Sequence, residues 1–304
     1  MEYIIETHNL EKKYEKFKAI SNLNMHIPKG AIYGLIGKNG AGKTTLIRLI
    51  CGLQTPTSGT YEIYGISNEN KKIVNERKRI GAIIESPSIC LDMTAEENLK
   101  EQYKVIGLPS YDNLQEILKL VELDKTGKKK AKNFSLGMKQ RLGIAIALVG
   151  NPDVLILDEP INGLDPEGII EIRELILKLN KKQGITFLIS SHYLDELSKI
   201  ATCYGFIDKC KIIKEISSDE LEKDFRKRIQ INVSNINSCV QYLEENKIEY
   251  KVISKKTVDI YEKINVSELV MALSKRNCIV NSFKEKGETL ENYYLNLIGG
   301  AENV

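Results

Sequence analysis

Between an aliphatic run, Ile32 to Ile36, and a helical stretch opening at Thr45 lies the octapeptide Gly37-Lys38-Asn39-Gly40-Ala41-Gly42-Lys43-Thr44. A strand, a glycine-rich loop and a helix in that succession leave few folds open, because such a unit returns to its sheet as a parallel neighbour. Two more aliphatic runs, Val154 to Leu157 and Thr186 to Ile189, lack polar alternation, as strands buried on both faces of a parallel sheet do. Between them, Ile169, Ile170, Ile172, Leu175, Ile176 and Leu179 form a helical stripe over Pro166 to Leu179. Asp165 is placed to cap it, with Pro166 in its first turn. The expected fold class is α/β.

The octapeptide carries phosphate chemistry. A loop that wraps phosphates needs inward-facing backbone N–H groups, and glycine supplies the dihedral angles that allow it. Gly37, Lys38, Asn39, Gly40, Ala41, Gly42 and Thr45 would form the cradle. Lys43 would reach the β- and γ-phosphates, Thr44 would ligate Mg²⁺, and the following helix would turn its positive end to the anion. A chance glycine-rich turn is the bland alternative, and the strand-then-helix context weighs against it. The run Val154 to Leu157 ends in Asp158-Glu159-Pro160. Asp158 at the strand's carboxyl end could hold Mg²⁺ through water, and Glu159 could polarise an attacking water. A buried strand entering a turn would explain the aliphatic residues but not two adjacent acids. A nucleoside triphosphate and Mg²⁺ are the expected ligands, and the resemblance given below makes the nucleotide ATP.

At 304 residues the chain suffices for one large core and a smaller second domain. Its 42% hydrophobic and 28% charged residues are ordinary for a globular protein. A net charge of +3 gives no ground for expecting nucleic acid, and the five lysines within Lys125 to Lys132 read as a solvated loop. Six scattered cysteines (Cys51, Cys90, Cys203, Cys210, Cys239, Cys278) fit a reduced, cytosolic chain rather than a zinc site. The N-terminus enters an alternating strand pattern directly, so no signal peptide is expected. No apolar run approaches the ~20 residues needed to span a bilayer. If the chain works at a membrane, another polypeptide supplies the membrane part.

Alternating segments at Tyr3 to Thr7, Leu23 to Ile27 and Tyr61 to Tyr64 predict an antiparallel layer within residues 1–216, and residues 87–149 carry mainly helical patterns such as Leu114 to Leu123. A second domain is expected over residues 217–304. There Ile229 to Val233, Tyr250 to Ser254, Val258 to Tyr261 and Ile279 to Phe283 read as strands. Helices are expected at Ile236 to Asn246 and Val266 to Arg276, with a last one at Leu290 to Leu297. The β-α-β-β-α-β order suggests a small ferredoxin-like domain.

Residues 1–216 resemble the nucleotide-binding subunit of an ABC transporter, with the family's pieces in its order. Ser135 to Gln140 matches the signature motif, Asn162 to Asp165 the loop after the second carboxylate, and His192 the γ-phosphate switch. Tyr14 falls where the family stacks an aromatic ring on adenine, although a tyrosine in a short loop also reads as packing. Glu85 falls in the loop running from the Mg²⁺ site toward the transmembrane partner, and is assigned to the metal with Thr44 and Asp158. The resemblance makes Glu159 and His192 catalytic and brings Ser135, Gly137, Gln140 and Asp165 to nucleotide. It implies two subunits head to tail around two ATPs, the second subunit being another copy or a homologue. That agrees with the residues. Ser135 can cap a helix beginning near Leu136, and this anion site is redundant beside a complete phosphate loop unless it closes on a partner's ATP. His8 and His26 have no such context.

Two positions depart from the familiar pattern: Ser135-Leu136-Gly137-Met138 replaces S-G-G-Q, and Glu85 stands where glutamine is commoner. With Ile80 to Ser88, they resemble exporters of the bacitracin-resistance and lantibiotic-immunity type. The resemblance implies an ATP-hydrolysing exporter subunit, held at the cell membrane by a separate permease. Two rivals are a soluble ABC-type ATPase of translation or DNA repair and a non-hydrolysing nucleotide sensor. A single cassette without heptads weighs against the first, and intact Glu159 and His192 against the second.

Overall fold

The computed structural model describes residues 2–225, 228–262, 264–286 and 289–300. They fall into two compact units, Met1–Ser218 and Asp219–Val304. The first unit opens with strands β1 (Tyr3–Tyr14), β2 (Phe17–Pro28) and β3 (Ile32–Ile36), then helix α1 (Lys43–Ile50). Next come β4 (Ser58–Ile63), β5 (Ile66–Ser67), α2 (Ile73–Arg77) and β6 (Ile80–Ile83). A helical segment follows with α3 (Ala95–Val105), α4 (Leu114–Leu120) and α5 (Leu136–Leu148). The unit then resumes alternation with β7 (Val154–Asp158), α6 (Pro166–Gln183), β8 (Thr186–Ser191) and α7 (Leu194–Leu197), and ends in a hairpin of β9 (Cys203–Asp208) and β10 (Lys211–Ser217).

Two sheets form its frame. One is antiparallel, in the order β2-β1-β4-β5. The other runs β10-β9-β3-β8-β7-β6 and is parallel except for edge strand β10. Strands β3, β7 and β8 are buried at every position, which is why they read as continuous apolar runs. Core residues of both sheets and of α1, among them Met25, Tyr61, Leu46, Leu35 and Ile156, form one cluster. Register aligns the carboxyl ends: Ile36 lies beside Ser191, and Asp158 beside Ser190.

The fold matches the expected α/β class with its antiparallel layer and helical segment. Helix α3 begins with a capping box: Thr94 accepts from Glu97 N–H, while the Glu97 carboxylate accepts from Thr94 N–H. The lysine patch is partly used locally, since Lys132 pairs with Asp92 at 2.9 Å and Lys129 lies over the Phe134 ring. The β9–β10 hairpin was not legible in the sequence. Its turn residues, Lys209 and Cys210, both have positive φ (44° and 67°) without the Asn-Gly signal that marks such turns. His26 has a structural partner: its Nδ1 lies 2.8 Å from Glu215, which also accepts from Tyr33 Oη at 2.7 Å. Burial and the neighbouring Glu215 push the Tyr33 hydroxyl well above its ordinary value, so it stays the donor.

The second unit holds α8 (Ser218–Phe225), β11 (Arg228–Val233), α9 (Ile236–Glu245), β12 (Tyr250–Ser254) and β13 (Thr257–Ile260). It closes with α10 (Val266–Ser274), β14 (Val280–Lys286) and α11 (Leu290–Gly300). The sheet order β12-β13-β11-β14, antiparallel throughout, is the ferredoxin-like arrangement. Ile229, Ile231, Val233, Val258 and Ile260 face a core shared with Leu243, Leu269 and Leu273 of α9 and α10. Among the described residues no helix is long and apolar enough to cross a membrane.

Candidate functional site

The site grows from the carboxyl ends of β3, β7 and β8, where a doubly wound sheet leaves a crevice between helices on opposite faces. The phosphate loop leaves β3 at Gly37. A Cβ at Gly37 would lie 2.6 Å from the Ile207 carbonyl oxygen, so backbone proximity demands glycine there. Gly42 has φ +108°, and a Cβ would stand 2.6 Å from the Ala19 carbonyl oxygen. It caps α1 with no side-chain bond, so the first N–H groups of the helix remain for a ligand.

Lys43, the first residue of α1, is only 6% exposed. Its Nζ donates to the Gly37 carbonyl oxygen at 2.6 Å and lies 3.4 Å from Glu159 Oε1. Beside it, Thr44 Oγ1 donates to Asp158 Oδ2 at 2.7 Å. Ser190 Oγ donates to the other oxygen of the Asp158 carboxylate. Asp158 is thus buried at the end of β7 with both oxygens engaged.

Glu159 follows with φ +51°, a left-handed conformation that costs about 1–3 kcal/mol for a non-glycine residue. Bonds around it hold the strained turn. Its N–H donates to Ser190 O and Oγ at 3.1 and 3.0 Å, and its carbonyl accepts from Asn162 N–H at 3.1 Å. The two carboxylate oxygens have different surroundings. Oε2 lies 2.6 Å from His192 Nδ1 and accepts from His192 N–H at 3.3 Å. Oε1 is buried without a hydrogen bond among the described residues, the Lys43 ammonium at 3.4 Å being an ion-pair neighbour only. A buried carboxylate oxygen with spare acceptor capacity, near a phosphate-binding lysine, is suited to receive a water proton.

Lys43, Thr44, Asp158, Glu159 and His192 therefore converge, and Ser190 joins them. No motif in the sequence marks Ser190 for this place. The oxygens of Thr44 and Asp158 suit a hard, oxygen-seeking cation such as Mg²⁺. Glu85 is not brought to them. It has φ +64°, its side chain is 63% exposed, and its Oε1 pairs with Arg48 Nη2 of α1 at 2.7 Å. Arg48 is a partner no motif indicates.

Tyr14 ends strand β1, opposite Phe17, rather than lying in a loop. Its ring is partly exposed and its hydroxyl donates to Gln54. Ser135 caps α5 by accepting from Met138 N–H at 3.2 Å. Leu136 is 51% exposed, so the residue replacing the usual glycine points no apolar mass into the core. A Cβ at Gly137 would meet only Gly168 Cα, at 3.9 Å, and Gln140 is buried along the helix. Asp165 caps α6 by accepting from Gly168 N–H at 3.1 Å, with Pro166 next. The caps at Ser135 and Asp165 lie outside the hydrogen-bonded group around Asp158 and Glu159.

Comparison with known proteins agrees with this geometry. A family profile described as ABC transporter matches residues 20–162. The bacitracin transport ATP-binding protein BcrA of Bacillus licheniformis is 41% identical over 304 residues, 99% of each chain. The lantibiotic transport ATP-binding protein SrtF of Streptococcus pyogenes is 43% identical over 229 residues, covering 74% of this chain and 97% of its own. Among solved structures, the dimeric post-hydrolysis state of the ATP-binding cassette MJ0796, bound to ADP and Pi, superposes with a TM-score of 0.63 at 25% identity, covering 70% of this chain and 98% of that one. The chain belongs to the ABC transporter family, as an ATP-binding and ATP-hydrolysing subunit.

Proposed function

We propose that this ATPase drives an exporter of antimicrobial peptides or hydrophobic drugs, attached to the cell membrane through a separate permease. The observation that carries the hydrolytic reading is Glu159, whose Oε2 is held by His192 while its buried Oε1 keeps acceptor capacity. The loop N–H groups and Lys43 bind and orient the β- and γ-phosphates of ATP. Thr44 and Asp158 would hold Mg²⁺, which when bound neutralises phosphate charge; Glu85 would join them by exchanging its exposed ion pair with Arg48, a contact worth little in water. Glu159 takes the proton of the attacking water through Oε1. His192, with Nδ1 against Glu159, keeps Nε2 for a γ-phosphate oxygen.

Ser135 at the start of α5, with Gly137 and Gln140, completes the site on a partner's ATP, and Asp165 lies at the shared interface. Tyr14 stacks on the adenine. The dimeric form of the MJ0796 cassette supports that assembly. For the permease, a cavity of about 1010 Å³ in the first unit offers a docking place. Its rim includes Leu53, Val105 and Ile106, all exposed, and its lining also includes Glu85 and Arg48. A cytoplasmic permease helix seated there would lie against the Glu85 loop. The names of the bacitracin and lantibiotic transport relatives support the cargo class.

The test is Glu159→Gln. The variant should bind ATP, form a stable dimer and co-purify from solubilised membranes with an integral membrane protein. Its turnover should fall at least about a hundredfold, the scale of a lost general base. Undiminished turnover would refute Glu159 as the base, and failure to recover any membrane protein would refute the transporter assembly.

A further inference from the structure

The second unit carries a cleft that the ATPase reaction does not use. We propose that it binds a small phosphomonoester, a phosphate on a ring-bearing organic group, as a second ligand site. The cleft measures about 480 Å³, within the range of small-molecule sites, and is lined by Lys223, Arg228, Lys251, Tyr261, Tyr293, Asn296 and Leu297.

Its cations come from three elements, α8, β11 and β12, and topology explains their meeting. Alternation along the strands sends Ile229, Ile231 and Val258 into the core with α9 and α10. Arg228, Gln230, Asp259 and Lys251 therefore occupy the opposite sheet face. Register then aligns Lys251, Asp259 and Gln230 in one row across β12, β13 and β11. Residues of α8 and α11 close the cleft over this face.

Among the described residues charge in the cleft is one-sided, since no carboxylate of theirs lines it. Asp259 lies beneath, 3% exposed, 3.0 Å from Arg228 Nε and accepting from Gln230 Nε2 at 2.7 Å. It is an ion-pair neighbour of the guanidinium, whose buried Nε makes no hydrogen bond among the described residues, and it offsets one positive charge. Lys223 and Lys251 form no ion pair with a described residue, so about two charges are uncompensated among the described residues. Converging like charges repel, and a bound dianion reverses the sign of that energy. A phosphate monoester is dianionic near pH 8 and suits a guanidinium beside two ammonium groups. The rings of Tyr261 and Tyr293 give the walls an aromatic surface for the organic group.

The experiment titrates the full-length chain with AMP, inorganic phosphate and adenosine by calorimetry at pH 8 and low salt, on wild type, Lys43→Ala and the double variant Lys223→Gln/Lys251→Gln. AMP should bind wild type with a Kd below about 1 mM, more tightly than phosphate, and adenosine should not bind. The double variant should weaken AMP at least about tenfold, while Lys43→Ala should bind AMP as wild type does, separating this cleft from the phosphate loop. Lys223 and Lys251 are exposed, so matching circular dichroism and thermal midpoints should verify the fold; a single Lys251→Glu variant, also expected to weaken AMP, provides an independent check. AMP binding lost in Lys43→Ala but kept in the double variant would overturn the proposal. So would adenosine binding as tightly as AMP, or no AMP binding up to about 5 mM.

Discussion

The two units solve the problem of gathering polar groups in opposite ways. In the first, β3, β7 and β8 run parallel, so all their carboxyl ends emerge on one edge. Gly37, Asp158, Glu159 and His192 each leave a strand at that edge and meet within hydrogen-bonding distance of one another or of Lys43 and Thr44. In the second unit the sheet is antiparallel, and neighbouring carboxyl ends point opposite ways. No common edge exists, and its charged residues gather on a face instead. A parallel sheet concentrates chemistry at a line of loop starts; an antiparallel one spreads it over a surface that other elements must roof.

The contrast can be broken experimentally, and Gly42→Ala should do most. It forces alanine to φ +108° and into the Ala19 carbonyl oxygen, at 2.6 Å before relaxation. The expected loss is about 3 kcal/mol, read from urea unfolding, together with loss of ATP affinity as the loop shifts. Full stability and unchanged affinity would mean that the loop does not depend on that backbone geometry.

Asp259→Ala comes next. Leaving Arg228 without its carboxylate should cost about 2 kcal/mol. Hydrogen exchange should speed up in β11 and β13 and stay unchanged in β7. Equal acceleration in β7 would show that the two units do not unfold separately. The smallest effect is expected from Ser135→Ala, which removes the bond from Met138 N–H. Loss of a cap costs about 1 kcal/mol and should lower the Tm by about 3 °C. No shift would mean that the Ser135 hydroxyl contributes nothing to the helix and is kept for its ligand alone.

Legibility followed the same division. Gly37 to Thr44 and Asp158-Glu159 were readable because their chemistry is contiguous along the chain and lies beside unbroken apolar strands. The caps at Ser135 and Asp165 were readable for the same reason: a cap and the N–H groups it accepts from are three residues apart. Ser190 was not, since its role depends on strand register that sets it against Asp158, 32 residues away. No motif marks Arg48, because its partner Glu85 is 37 residues distant. Tyr14 reads as a loop residue in the sequence because the strand ending there is mostly polar near its tip and shows little apolar pattern.

By itself, the sequence determined the α/β class, the phosphate loop, the paired carboxylates and the β-α-β-β-α-β order, all carried by local periodicity, glycine placement and short spacings. Tertiary structure alone decided that Glu159 is held in a left-handed turn by Ser190 and paired with His192. It likewise decided that Glu85 lies against Arg48 and that cations of α8, β11 and β12 meet in one cleft. The physical reason is that these arrangements depend on strand register and packing between distant segments, which no local pattern of residues encodes.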